Sequence, residues 1–460
     1  MPVLCGIGRD GAVRTLNTQA WPRESRRLVL QAFSLGAVSV ALLLLSGALP
    51  ANAAEGVSAE APASRSSSDA TWQLLATGDI MTHEAVVRTA RSMASKESSG
   101  AGGYGWALRD IRSLVSSVDL AFGNLEFPVN PGRPVSGDTP FNGDPAYLAA
   151  LKQLGFDVLF VANNHMLDQG VEGAETTRTA LRDHGILTLG ATERRKPWEE
   201  VLTVDVGKAD KVRVGFLNYT SGLSDLGLGY NLEHLLVGRN INYALFDEGM
   251  PVVKRLYGEF AGRALPSAVI PNRQAFIERV AQQAGKARAG GAEYVVAFLH
   301  WGKREMLQPQ PQQEALARAL CRHVDAVIGA GPHTLQPVEV IAGDGAGARP
   351  CLVAYSLGNL IAVHGRAASF GMMLKFEIRR HLGQIQFVGF KRQFTRIDRC
   401  WERSMGELDS RPRLEVKRTT AEEFRAFVRD LPQHRPVPAV CGSPANDIDP
   451  IASDFSGERG

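Results

Sequence analysis

Asp79, Glu126, Asn164, His165, His300 and His333 each stand at or just beyond the end of a short apolar run. Leu74-Leu75-Ala76-Thr77-Gly78 leads into Asp79, and Leu120-Ala121-Phe122-Gly123 into Asn124-Leu125-Glu126. Val158-Leu159-Phe160-Val161-Ala162 leads into Asn163-Asn164-His165, and Val295-Val296-Ala297-Phe298-Leu299 into His300. Ala326-Val327-Ile328-Gly329-Ala330 is followed closely by His333. Carboxylate, amide oxygen and neutral imidazole are the donor set of a divalent metal, and a mixed N/O set suits Mn, Fe, Zn or Mg better than calcium. Asp79, Asn124 with Glu126, an amide of the Asn163-Asn164 pair, His300 and His333 are therefore the candidate metal ligands. His165, with Asn164 beside it, is the candidate catalytic residue, able to stabilise charge on an attacked or leaving oxygen. Taken singly, each has a plainer reading: an Asp at a strand end is often a helix N-cap, and a lone histidine is more often a solvated group. Repetition at five run ends is what points to a site. His83, four residues after Asp79, is a weaker candidate ligand, and Gly78 is read as letting a ligand approach the backbone.

The elements that would carry these residues alternate. In open α/β sheets, ligands bind beyond the carboxyl ends of the strands, so the apolar runs read as strands and their polar ends as a site edge. Helical spacing covers Tyr104–Ser117, Pro145–Leu154 behind an Asp144 N-cap, Val171–His184, Gln274–Ala289 and Gln312–His323. Further strands are expected at Ile186–Leu189, Val212–Leu217, Val338–Ile341, Leu352–Ser356, Met372–Ile378 and Gln384–Phe390. Early βα alternation followed by strands predicts a layered α/β domain with mixed sheets over 71–395. Residues 221–271 break the rhythm and read as an insertion over the site edge. Residues 396–460 form a C-terminal extension, and its end, 432–460, is Pro-, Ser- and Asp-rich and reads as disordered.

The bulk numbers exclude some classes. In 460 residues the net charge is +3, too mild to argue for nucleic acid. Cys321, Cys351, Cys400 and Cys441 form no CxxC pair, so a zinc ribbon is a poor reading. There is no G-x-S-x-G elbow, no Walker loop and no G-x-G-x-x-G after a strand. The N-terminus carries Arg26-Arg27, an apolar stretch from Ala32 to Leu49 and Ala51-Asn52-Ala53, an A-x-A cleavage pattern. This reads as a twin-arginine-like export signal over 1–53, ahead of a flexible Ala/Ser/Glu-rich linker over 54–70. An exported, periplasmic or cell-surface protein is expected, and an uncleaved leader would tie it to the membrane.

The ordered set Gly78-Asp79-Ile80-Met81, Asn124-Leu125-Glu126, Ala162-Asn163-Asn164-His165, His300-Trp301-Gly302, Pro332-His333 with Gln336, and Tyr355-Ser356-Leu357-Gly358-Asn359 resembles the CapA capsule-synthesis family. That family is associated with poly-gamma-glutamate and related to calcineurin-like metallophosphoesterases. The resemblance covers roughly Gln73 to Ile378. It implies a layered α-β-β-α metallophosphatase-like sandwich with a metal centre at the sheet edge. It also implies that Asp79 is a first-strand ligand, Glu126 a bridging carboxylate, Asn164 an amide ligand and His165 an acid or oxyanion stabiliser, with His300 and His333 as the later histidine ligands. Its partners would be an anionic surface polymer or the capsule-synthesis machinery. Two positions depart from the family pattern: Gly331 replaces the first His of a His-Pro-His element, and Arg304 stands where the family tends to have Glu. Three functional readings follow: a metal-dependent capsule-polymer protein, a periplasmic metallophosphoesterase, and a non-catalytic binder of anionic polymer.

Overall fold

The computed structural model describes residues 70–96, 100–191, 201–221, 272–343, 349–401 and 413–429, with short strand segments at 5–7, 13–15, 403–404, 407–408 and 439–440. The apolar leader segment, the linker before Ala70, the insertion after Ser221 and nearly all of the tail lie outside the described residues. Residues 1–66 are a separate unit in which Cys5–Ile7 pairs antiparallel with Val13–Thr15. The unit 67–460 carries everything below. Among the described residues, no helix is long and apolar enough to cross a membrane.

In chain order the strands are β1 (Thr71–Ile80), β2 (Leu120–Leu125), β3 (Val158–Phe160), β4 (Leu187–Leu189), β5 (Leu202–Val206), β6 (Val212–Thr220) and β7 (Tyr294–His300). They continue with β8 (Ala326–Ala330), β9 (Val338–Ile341), β10 (Cys351–Ala354), β11 (Asn359–Ile361), β12 (Phe370–His381), β13 (Gln384–Trp401) and β14 (Arg413–Thr419). The helices are α1 (Glu84–Met93), α2 (Pro145–Leu154), α3 (Gly170–Asp183), α4 (Arg273–Ala289), α5 (Pro311–Leu320) and α6 (Ala421–Arg429).

One sheet has the order β14-β13-β12-β1-β2-β3-β4, with β11 added in parallel to the end of β1. Strands β1 to β4 are parallel, and β12 to β14 are antiparallel to their neighbours. The other sheet has the order β9-β10-β8-β7-β6-β5, parallel in the middle and antiparallel at both edges. Both sheets are mixed, as the sequence predicts.

Successive side chains of a strand face opposite sides, and here that rule builds three cores. Leu74, Ala76, Leu120, Phe122, Val158 and Phe160 face Phe216, Tyr294, Val296, Phe298 and Ile328 between the two sheets. Leu75, Ala121 and Leu159 face the other way, against Val86, Leu148, Leu151 and Leu181 of α1, α2 and α3. Val295, Ala297 and Leu299 face Phe276, Val280, Leu316 and Leu320 of α4 and α5. The result is four layers, α-β-β-α, as expected.

The element limits bring some corrections. Tyr104–Ser117 is not one helix. It splits into Tyr104–Ala107, a 3-10 turn at Arg109–Ile111 and Arg112–Val115. Leu108 leaves helical geometry (φ −108°, ψ 7°) while burying its side chain completely, so burial overrides the spacing. The boundary drawn at 395 falls inside β13, which pairs with β14 from Phe394 to Cys400. Phe424 of α6 packs on Phe370 and Phe394, so the start of the C-terminal extension completes the first sheet. Asp144 does cap α2: its Oδ1 accepts from Ala146 N–H at 2.9 Å, with Pro145 at the first turn. Asp144→Ala is expected to cost about 1 kcal/mol of stability, read by chemical denaturation.

Candidate metal centre

Asp79 sits at the end of β1 because of a close backbone approach. A Cβ on Gly78 would lie 1.9 Å from the Gly358 carbonyl oxygen, and Asp79 N–H donates to that oxygen at 2.9 Å. Gly78 therefore admits the 358 backbone, not a ligand. This approach starts β11 and puts Asn359 in register with Asp79.

Asp79 and Glu126 are both fully buried. Asn124, in register with Asp79 on β2, clamps the two carboxylates. Its side-chain amide donates to Asp79 Oδ1 at 2.8 Å and to Glu126 Oε2 at 3.3 Å. Its own oxygen accepts from Asn163 at 3.1 Å, and Asn163 also donates to the Leu125 carbonyl at 2.7 Å. Extended spacing of two residues puts Asn124 and Glu126 on one side, as the sequence indicates, but Asn124 orients carboxylates and offers no free oxygen.

The second sheet brings the histidines. His300, at the end of β7, stands with Nε2 3.2 Å from Glu126 Oε1 and Nδ1 3.4 Å from Thr220 Oγ1. His333 follows β8 with φ +61°, a left-handed geometry that costs a non-glycine residue energy and is often kept at functional sites. Gln336 and Thr334 tie this turn to the Met306 carbonyl. His333 Nδ1 lies 2.9 Å from Asp79 Oδ2 and 3.1 Å from Asn359 Oδ1, while its Nε2 lies 3.7 Å from Glu126 Oε1. Ligand atoms of Asp79, Glu126 and His333 all fall within 4.8 Å of one another.

Charge inside this cluster is divided. Burial pushes Asp79 up, but the His333 hydrogen bond and charge, the His300 charge and the Asn124 hydrogen bond outweigh it and bring it to about 2. Burial and the Asp79 charge push Glu126 up to about 8, against the pull of His333 and His165. Burial lowers His333, yet Glu126 and Asp79 together leave it raised. Burial lowers His300, with Asp79 opposing. The surroundings thus favour charge on Asp79 and His333 and disfavour it on Glu126 and His300.

Asn164 presents a buried Oδ1 with no hydrogen-bond partner. A buried amide oxygen without a donor is costly, and a cation would satisfy it. His165 Nδ1 lies 2.9 Å from the carboxylate of Asp168, whose side chain is fully buried and also accepts from Phe141 N–H. Asp168, Thr220 and His364 carry no site signal in the sequence. Asn124, Asn163 and Asn359 carry one, as companions in the strand-end clusters. Asp79, Glu126 and His333 come together, and His300 joins them through Glu126; Asn164 and His165 join through Asn163, which bonds Asn124.

At the two departures from the family pattern, Gly331 (φ +106°) turns its N–H to Asp79 Oδ2 at 3.3 Å. A Cβ there would lie 3.1 Å from the His300 ring. Arg304 is largely exposed and pairs with Glu305 at 3.6 Å.

Loose structural likeness extends to the calcineurin-like phosphoesterase YfkN from Bacillus subtilis, 12% identical, covering 80% of this chain and 98% of that one at TM-score 0.37. It extends also to a novel phosphatase from Mycoplasma pneumoniae, 10% identical, covering 71% and 94% at TM-score 0.38. Both are too distant to bear on the chemistry. In sequence, the chain is 25% identical over 269 residues to the capsule biosynthesis protein CapA of Bacillus anthracis, 57% of this chain and 55% of that one. It is 24% identical over 260 residues to the PGA biosynthesis protein CapA of Bacillus subtilis, 55% and 56%. The chain spans about half the length of these curated relatives. Residues 73–363 match the model of the bacterial capsule synthesis protein PGA_cap, a span holding Asp79, Glu126, Asn164, His165, His300 and His333. The chain belongs to that family of capsule synthesis proteins.

Proposed function

We propose that this is an exported capsule-synthesis protein whose centre holds a divalent metal (Mn, Fe, Zn or Mg) and hydrolyses a bond in an anionic surface polymer, such as poly-gamma-glutamate, during its synthesis, anchoring or release. The observation that carries this reading is the buried Asp79, Glu126 and His333 cluster, with the unpartnered Asn164 oxygen next in chain to Asn163, which bonds the Asn124 clamp. The donor set fits the metal: two carboxylates, two imidazoles and an amide oxygen.

Asp79, Glu126, His333, His300 and Asn164 would hold it. A bound metal supplies Lewis-acid polarisation of a phosphoryl or amide-type centre. Asn124 fixes both carboxylates, and Asp168 fixes the His165 ring with Nδ1 as donor. His165 Nε2 is then the atom that takes or gives a proton at the attacked or leaving oxygen. Export is supported by Arg26-Arg27, the Ala51-Asn52-Ala53 pattern and the Cys321–Cys351 disulfide, since disulfides persist in oxidising compartments.

Gly331 favours a second reading, in which the site keeps metal with fewer side chains and binds polymer without cutting it. One experiment separates the two. Metal content is measured on purified protein after reconstitution, and polymer is scored for both binding and chain length. Near-stoichiometric metal with cleavage, reduced about 10²–10⁴-fold in His165→Ala, supports the hydrolase. Binding with unchanged chain length supports the second reading, and no metal under any reconstitution rejects both.

A further inference from the structure

Two histidines beside the centre have no part in the ligand set. His83 and His364 are half-buried, whereas His300 and His333 are buried, so the first pair is the more accessible to solvent. Their rings meet edge to face, centroids 4.8 Å apart at 87°. His364 in turn stacks on His333, centroids 4.1 Å apart at 28°. His83 also packs on Phe141, whose ring contacts His165. The sequence raised His83 as a weak ligand and gave His364 no role.

Hydrogen bonding settles what each ring can do. His83 Nδ1 lies 3.1 Å from the N–H of Val363, a backbone group that can only donate. Nδ1 is therefore an acceptor, and the neutral ring carries its proton on Nε2. His364 Nδ1 lies 3.4 Å from Asn359 Nδ2. The Asn359 amide cannot be turned over, because Nδ2 also donates to the carbonyls of Ala368 at 2.8 Å and His333 at 3.3 Å. One Nδ2 hydrogen goes to Ala368 and the other is shared between the His333 carbonyl and His364 Nδ1; an N–H on that Nδ1 would face a donor, so His364 is also an Nε2–H ring. His333 is the opposite: its Nδ1 faces the acceptors Asp79 and Asn359, leaving Nε2 for a metal.

His333 and His364 both turn Nδ1 to the Asn359 amide, and their rings lie nearly parallel. Glu126 Oε1 stands 3.7 Å from His333 Nε2. A ring whose Nε2 carries hydrogen cannot ligate through it, but it can donate to an oxyanion.

We propose that His83 and His364 are not ligands but a pair of Nε2–H donors beside the centre, binding the anionic oxygens of the substrate. The chemical class they recognise is an oxyanion, phosphoryl or carboxylate. This rests on the reading of the cluster as a metal centre, yet its first test does not need metal. Selective ¹⁵N labelling of histidine reads the tautomer of each ring by long-range NMR correlation, before and after zinc loading. Nε2–H at both rings in both states is expected; an Nδ1–H tautomer, or a metal-shifted Nε2 on zinc addition, overturns the proposal.

The second test titrates zinc-loaded protein with inorganic phosphate and with glutarate, separating phosphoryl from carboxylate recognition. His83→Leu and His364→Leu should keep zinc stoichiometry and weaken the preferred anion at least tenfold. His83→Gln and His364→Gln, whose amide keeps an N–H near Nε2, should recover most of that loss. Loss of zinc in the Leu variants to the extent seen in His333→Ala, or unchanged anion affinity, refutes the donor role. Failure of the native protein to take up metal would reject the metal centre while the metal-free tautomers still decide the donor assignment.

Discussion

Glu126→Gln will abolish tight divalent-metal binding and at the same time make the metal-free protein more stable above pH 8. The first effect follows from the ligand set: Glu126 is the carboxylate that faces both His300 and His333. The second follows from linkage. Burial and Asp79 raise Glu126 from 4.5 to about 8, so the folded state holds a proton there that the unfolded chain has lost. Folding is therefore opposed as pH rises from about 4.5 through about 8, by an amount on the order of a few kcal/mol, and Gln removes that penalty. Asp79 has the reverse sign. It is lowered from 3.8 to about 2, so its contribution is present above about pH 4 and is lost as pH falls through 2.

Metal binding must also displace protons, from Glu126 and from the raised His333. Calorimetric titration near pH 6.5 in buffers of different ionisation enthalpy should find between one and two protons released per metal. With both gone, two carboxylates neutralise a divalent ion in a buried site. Metal uptake with no proton release, or a Glu126→Gln protein that binds as tightly as the native one, would rule out this account.

Phe122→Ala is expected to cost about 3–5 kcal/mol and to weaken metal binding without touching a ligand. Phe122 is fully buried on β2, and its ring packs against Phe160, Phe216, Phe298 and Phe376 at centroid distances of 5.3–6.3 Å. Phe160 and Phe376 lie on the sheet that carries Asp79 and Glu126; Phe216 and Phe298 lie on the sheet that carries His300. The centre straddles the two sheets, so the distance between Glu126 and the His300 ring depends on this aromatic interior. A cavity there lets the sheets shift, and a site held to a few tenths of an ångström loses affinity. Denaturation measures the first loss and metal titration the second; a destabilised variant with native metal affinity would show that the sheet edge holds its geometry alone. Phe122→Leu, which keeps more of the volume, should lose less of both.

Much of this was written in local sequence. Short continuous apolar runs mark β1, β2, β3, β7 and β8, because burial on both faces demands them. Polar clusters stand out at the ends of those runs, because amide, carboxylate and imidazole groups are costly there without partners. Asp144 and Pro145 mark the start of α2 through a hydrogen bond spanning two residues. These signals need no knowledge of the rest of the chain.

Tertiary structure decided the rest, wherever the deciding partner is distant in sequence. Gly78 is explained by Gly358, 280 positions later. Asn124 became a clamp only when Asp79, 45 positions earlier, arrived beside it. The division of charge between Asp79 and Glu126 depends on histidines from the other sheet. The tautomer of the His83 ring rests on the N–H its Nδ1 meets, from Val363, 280 positions later. Composition and spacing carry the residue types, but a tautomer and a pKa belong to the contacts that folding makes.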